Sequence, residues 1–341
     1  MKRVLVARLD SLGDVVLAGP AVRAVASSAL PVLLTGPRGS AAAELLPGVD
    51  RVVEWDCPWI ANPAPPATPR HLRRLERLVA GLHVEEAVVL TSFHQSPLPL
   101  ALELRLCGVQ RITGLSEDYP GSLLDVRVTS RDVPWSVHEV DRALAIAAAA
   151  GFTLPADDAG LPALGPTQPS GLRPEGDYVV VHPGADAPSR AWPAANAEQL
   201  VELLAARGLQ PVVTGAPGER ALTARVAGDH GIDLGGSTPL PALADVLAGA
   251  RAVVVGNTGP AHLAAAAGTP VVSLFSPVVH AGVWAPRGAP VVVLGDQDAP
   301  CAATRARTCP VEGHPCLARV GPAEALAAVE SLLAEHSGVV A

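Results

Sequence analysis

Apolar and polar positions alternate along this chain in two registers that take turns. Short runs of β-branched and aliphatic residues, at 4–7, 31–34, 51–54 and 87–90, read as strands, and the segments between them carry apolar residues at helical spacing. After residue 150 the series begins again, with runs at 178–181, 211–214, 252–255, 271–274 and 291–294. Strand runs that are apolar on both faces, separated by helices, predict parallel sheets with crossover helices. A helix over 138–150 closes at Gly151, and residues 154–173, thick in Pro, Gly and Asp, read as the linker between two such units. The last helix is expected over 322–335.

Length and charge agree with that division. A chain of 341 residues exceeds what one hydrophobic core serves, so two domains are expected: 1–160 and 161–320, with 321–341 as a C-terminal helix packing back toward the first. No apolar run approaches the ~18 residues of a membrane span, and residues 1–3 lead into a strand without a cleavage pattern; the expectation is a cytoplasmic protein. A net charge of −8 argues against a general nucleic-acid binder, so any phosphate site must be local.

Two turns carry the chemistry. The first, Gly256-Asn257-Thr258-Gly259-Pro260-Ala261-His262, joins a strand to an alanine-rich helix. Free amide groups and the positive end of the helix dipole make such a turn an anion site, with Thr258 expected to cap the helix and Pro260 to suit its first turn. The second, Arg8-Leu9-Asp10-Ser11-Leu12-Gly13-Asp14, has the same strand-to-helix form but ends in a carboxylate. Asp14 is read either as a helix cap or as a general base at the carboxyl end of the first strand, where open α/β sheets bind ligands.

The order of motifs resembles glycosyltransferase family 9, the heptosyltransferases. The likeness rests on Arg8-Leu9-x-x-Leu12-Gly13-Asp14-Val15, Pro183-Gly184-Ala185 with Arg190-Ala191-Trp192-Pro193, Thr214-Gly215-Ala216 with Glu219, and the turn ending at His262. It implies a GT-B fold, two Rossmann-like domains with parallel sheets facing an interdomain cleft. It also implies metal-free transfer, with inversion, of a heptose or related sugar from an ADP-sugar to an acceptor hydroxyl. No cofactor is then needed beyond the nucleotide-sugar substrate. By the same resemblance Asp14 and Arg190 are catalytic, and Gly184, Thr214, Gly215, Glu219, Asn257, Thr258, Gly259 and His262 bind the donor. Asp10, Ser11, His94, Gln95 and His138 fall to the acceptor side, for a glycan, glycolipid or natural-product acceptor. The chain departs from the family pattern at Arg190, where lysine is common, at Asn257, where aspartate is, and at Asp10, where a small polar residue is.

Some features stay open in the sequence. Residues 70–78 set leucines at helical spacing against arginines, read as a solvated basic face or as a docking surface for an anionic acceptor or a membrane. Cys301, Cys309, Cys316 and His314 offer soft ligands, but their spacing is unlike a zinc knuckle, and no metal is assigned. The alternative activity on the same architecture is a nucleotide-sugar epimerase or hydrolase. A nicotinamide-dependent enzyme is disfavoured, because no Gly-x-Gly-x-x-Gly follows the first strand.

Overall fold

A computed structural model describes residues 1–337, which divide between Gly165 and Pro166 into two compact units, 1 and 2; the last four residues of the expected 321–341 segment lie outside the description. Unit 1 contains β1 (Arg3–Arg8), α1 (Leu12–Ala26), β2 (Leu30–Thr35), α2 (Ser40–Ala43), β3 (Arg51–Glu54), α3 (Pro69–Ala80), β4 (Glu86–Val89), α4 (Leu98–Leu106), β5 (Arg111–Leu115), β6 (Val126–Val128) and α5 (Glu139–Ala149). Unit 2 contains β7 (Tyr178–His182), α6 (Ala194–Ala206), β8 (Gln210–Val213), α7 (Arg220–Ala227), β9 (Ile232–Asp233), α8 (Leu240–Gly249), β10 (Ala252–Gly256), α9 (Gly259–Ala266), β11 (Val271–Leu274), α10 (Ala281–Trp284), β12 (Val291–Leu294), α11 (Pro315–Ala318) and α12 (Pro322–Ser337).

Each unit builds one six-stranded parallel sheet, in the orders β3-β2-β1-β4-β5-β6 and β12-β11-β10-β7-β8-β9. Counted from its own first strand, each sheet runs 3-2-1-4-5-6, the doubly wound order of Rossmann-like folds. The central strands have apolar interiors because helices cover both faces: Val4, Leu5, Val6 and Val253 are fully buried. Register follows that burial, Val6 lying opposite Leu33 and Val88, and Val254 opposite Val181 and Val272.

The strands read from the sequence are present, and three more appear in β5, β6 and β9. Gly151 takes the left-handed conformation expected of a helix stop, φ 96°, directly after α5. Helix α12 packs against α6 and strands β10, β11 and β12 of unit 2, where Leu326, Val329 and Leu332 join the core.

Candidate active site

The order 3-2-1-4-5-6 reverses direction between its first and fourth strands, and ligands of open α/β sheets bind outside the carboxyl ends at that point. In unit 1 these are the ends of β1 and β4, followed by Asp10, Ser11 and Asp14 and by His94 and Gln95. In unit 2 they are the ends of β7 and β10, followed by Gly184 and by Asn257, Thr258, Gly259 and His262.

Arg8, the last residue of β1, organises the site in unit 1. Its side chain is 4% exposed and lies among three carboxylates: Asp10 at 2.9 Å, Asp14 at 3.0 Å and Glu139 at 3.3 Å. It also donates to the Ser92 hydroxyl at 2.9 Å. Glu139 in turn pairs with Arg142, which donates to the Trp135 carbonyl at 2.7 Å and stacks 4.9 Å from the Trp135 ring. Burial and the nearby Arg8 charge lower the Arg142 pKa to about 10.

Asp14 takes the first of the two roles that the sequence left open for it, that of a helix cap. One carboxylate oxygen accepts from the Ser11 N–H at 3.2 Å and the Ser11 hydroxyl at 2.8 Å, closing the first turn of α1; the other faces Arg8. Burial alone would raise its pKa, but Arg8 and the Ser11 donors more than offset this and hold the carboxyl below the usual range. Asp10 behaves oppositely. Burial raises it to about 6, because Arg8 and the Gln95 amide only partly compensate and Asp14 adds repulsion. The cluster thus sets two cations against three carboxylates, and Asp10 is the acid best placed to hold the balancing proton.

The other acceptor-side residues separate. Gln95 is part of the network, donating to Asp10 and accepting from the Ser92 N–H at 3.1 Å. His94 is exposed on the loop after β4, its ring 5.3 Å from that of Phe93. Buried His138 caps α5, its Nδ1 accepting from the Val140 N–H at 3.2 Å. A cavity beside Gln95 is lined by Leu9, Trp59, Ile60, Thr91 and Ser96.

Unit 2 presents few charges. His182, the last residue of β7, is buried, shares a 2.9 Å hydrogen bond with the Thr214 hydroxyl, and has its pKa pushed down to about 4 by burial. Glu219 accepts from the Ala216 N–H at 2.7 Å, and its carboxylate sits where a Cβ on Gly184 would have to be. Only glycine at 184 lets the acid lie there. Arg190 ends a 3-10 turn, Pro188–Arg190, pinned by the Ser189 hydroxyl on the Ala306 carbonyl at 2.6 Å and by the Trp192 indole on the Val320 carbonyl at 3.0 Å. Its guanidinium reaches the Asn257 carbonyl at 3.3 Å. Its own carbonyl comes within 2.6 Å of where a Cβ would stand on Gly256, so glycine there seats the arginine turn over β10.

The Thr258 side chain corrects the expected helix cap. Thr258 has N-cap backbone geometry, yet its hydroxyl makes no cap bond. Pro260 has no N–H to offer, and the Ala261 N–H bonds the Thr258 carbonyl at 3.0 Å. The Thr258 N–H is also spent, on the Gly256 carbonyl at 2.8 Å, so the amide cradle is narrower than a helix with four free N–H groups. Asn257 is buried and paired with the backbone of Ser276, donating to its carbonyl at 3.2 Å and accepting from its N–H at 3.3 Å. His262 is buried in the first turns of α9.

Among the described residues no group of three or more His, Cys, Asp or Glu side chains is arranged to hold a metal ion. His314 contacts the Ser189 carbonyl at 3.0 Å, the Cys309 thiol donates to the Val311 carbonyl, and burial raises the Cys316 thiol to about 11.

Two Rossmann-like units, each with one six-stranded parallel sheet in the same strand order, match the GT-B fold, and the comparisons give the family. The family model described as glycosyltransferase family 9 (heptosyltransferase) matches residues 100–314. Lipopolysaccharide heptosyltransferase 1 of Pseudomonas aeruginosa is 30% identical over 334 residues, covering 90% of this chain and 87% of that protein. The solved structure of Escherichia coli ADP-heptose lps heptosyltransferase II superposes with TM-score 0.74 at 20% identity over 99% of this chain and 100% of that one. A family 9 glycosyltransferase from Veillonella parvula gives 0.78 at 17% identity, covering 98% and 97%. The chain belongs to glycosyltransferase family 9 and is a heptosyltransferase-like enzyme.

The sequence missed Arg8, Glu139 and Arg142 as members of the site. A charged residue closing an otherwise apolar strand was the available signal.

Proposed function

We propose that the enzyme transfers a sugar, heptose or a close relative, from an ADP-activated donor to a hydroxyl of a glycan, glycolipid or natural-product acceptor, with inversion and without a metal. The observation that carries this reading is the contrast between equivalent strand ends. Unit 1 offers an ionised carboxylate, Asp14, whereas unit 2 offers Arg190 and the N-terminal end of α9. In the proposed step the bond from the anomeric carbon to the phosphate oxygen breaks and ADP leaves with the electron pair. The acceptor oxygen bonds the anomeric carbon from the opposite face, and its proton passes to Asp14.

Because the acceptor becomes acidic only as that bond forms, a base of low pKa suffices; what matters is that Asp14 is ionised throughout the neutral range. Arg190 and the helix dipole meet the charge growing on the diphosphate. Glu219, Thr214, Gly215, Gly184 and His262 form the remaining donor side, and Asp10, Ser11, Gln95, His94 and His138 the acceptor side. The name of the Pseudomonas aeruginosa relative supports a glycolipid among the acceptor classes, and that of the Escherichia coli structure supports ADP-heptose as donor. This reading implies work in the cytoplasm, where nucleotide-activated sugars are available.

The test is Asp14→Asn, assayed for single-turnover transfer from ADP-heptose and for ADP affinity. The expected result is a loss of about 10²-fold or more in the chemical step, the usual worth of a general base, with ADP binding nearly unchanged. Turnover close to wild type would remove Asp14 from the base role. Release of free sugar without acceptor dependence would replace transfer by hydrolysis.

A further inference from the structure

The strongest feature outside the candidate site is the outer face of α3. This helix is sharply divided: Leu75 and Val79 are buried in the unit 1 core, with Leu72 and Leu78 packed against it. At about 100° per residue, Arg70, Arg73, Arg74 and Arg77 fall within an arc of about 100° centred opposite those apolar residues. All four are exposed, and none has a carboxylate partner among the described residues. Elsewhere in the chain Arg23, Arg105, Arg173, Arg225, Arg251 and Arg307 are each paired with an acid. Glu76, the acid on α3, lies to one side of the stripe, and its charge is felt instead by Glu103 and Cys107 of α4. A protein of net charge −8 thus carries a row of four exposed arginines on one helix face, without acid partners among the described residues.

The segment leading into α3 is of a different character. Residues 57–69 contain no charge and run Pro58-Trp59-Ile60-Ala61-Asn62-Pro63-Ala64-Pro65-Pro66-Ala67. Positions 62–64 and 66–67 are exposed, whereas Trp59 and Ile60 are half-buried at the cavity beside Gln95. A cationic stripe bordered by an uncharged, partly exposed apolar loop fits an interface that is anionic at its surface and apolar beneath it. A polyanion in free solution would use the stripe and gain nothing from the loop.

We propose that the arginine face of α3 docks the protein on an anionic membrane surface, with the loop at 58–67 resting at the headgroup boundary. Because Leu75 and Val79 are committed to the core, the helix does not insert; the attachment is electrostatic and reversible. No donor or acceptor sugar enters the argument, so it stands apart from the transfer reading.

The test is partitioning of the full chain onto sedimented vesicles of phosphatidylcholine, with and without phosphatidylglycerol. The wild type should bind the phosphatidylglycerol vesicles selectively at low salt and be released near 1 M salt, where screening acts within about 3 Å. Each arginine removed should lower the partition coefficient about fivefold, and R70Q/R73Q/R74Q/R77Q together on the order of 10²-fold or more. Arg207→Gln with Arg225→Gln, on unit 2, should leave binding unchanged, and circular dichroism should confirm that both variants fold. R73E/R77E provides a second route if the quadruple variant misfolds. Equal binding to both vesicle types, retention at high salt, or full binding by the stripe variants would overturn the proposal. So would stripe-dependent capture of an oligonucleotide or polyphosphate by a protein that ignores vesicles.

Discussion

Replacing Asp10 by asparagine should stabilise the protein, and only above a definable pH. Asp10 is buried beside Arg8, Gln95 and Asp14, and its pKa rises from 3.8 to about 6. Between these values the folded chain holds a proton that the unfolded chain has released, so this group's contribution to stability falls as pH rises through that window. The full cost applies above about pH 6 and is on the order of 3 kcal/mol. Asparagine has the shape of the protonated acid and no charge to desolvate, and Arg8 keeps Asp14 and Glu139 as counter-ions. Equilibrium urea unfolding at about pH 5 and about pH 8 tests this. Asp10→Asn should gain on the order of 2–3 kcal/mol over wild type at the higher pH and much less at the lower. A variant that is less stable at both, or whose difference from wild type does not change with pH, would refute the assignment of the shared proton to Asp10.

Arg190→Ala should lower kcat/KM by about 10²-fold or more and weaken ADP binding, because it removes a cation from the leaving-group side; steady-state kinetics and calorimetry check both. Asn257→Asp should destabilise the fold by about 1–3 kcal/mol, since the Ser276 carbonyl loses its donor and faces a carboxylate; an unchanged urea midpoint would contradict this. Transfer should survive excess EDTA undiminished, and activity lost on chelation and restored by a divalent metal would remove the metal-free step.

What the sequence disclosed follows from where its information is local. β1, β2, β7, β10 and β11 are apolar runs ending in turn residues, so period and punctuation were enough to find them. β5 (Arg-Ile-Thr-Gly-Leu), the three-residue β6 and the two-residue β9 give no comparable pattern; neighbouring strands specify them. The turns after β1 and β10 were legible for the same local reason. The partners of Arg8 were not, since Glu139 lies 131 residues away and only the fold brings the two together. Asn257 has a partner that the sequence likewise did not disclose. A polar residue in an anion-binding turn reads as a ligand contact, yet the Ser276 backbone, 19 residues on, takes both ends of its amide. The donating N–H of Ser276 also fixes which end of that amide is the oxygen. His138, which the resemblance gives to the acceptor side, caps α5 through an imidazole, a group that is not among the usual capping groups.

The last residues of β1 and β7 are topological counterparts, and their contrast bears on how one fold takes two roles. Arg8 is a buried cation whose three carboxylates over-compensate it, leaving unit 1 with acid groups at its ligand-binding end. His182 is buried and neutral, bonded to an uncharged hydroxyl, with Asn257 and Ser276 continuing that neutral shell at the end of β10. A diphosphate brings its own charge. A buried carboxylate cluster like that of unit 1 would repel it, and a fully compensated arginine would have little attraction to spare. Arg190 reaches the edge of the neutral shell, its guanidinium donating to the Asn257 carbonyl at 3.3 Å. Conversely, a hydroxyl acceptor needs a proton sink, and the acids around Arg8 supply one that a neutral shell cannot. The proposed assignment of donor to unit 2 and acceptor to unit 1 follows the contrast between the charged cluster around Arg8 and the neutral shell around His182, a property that the shared strand order leaves free to vary.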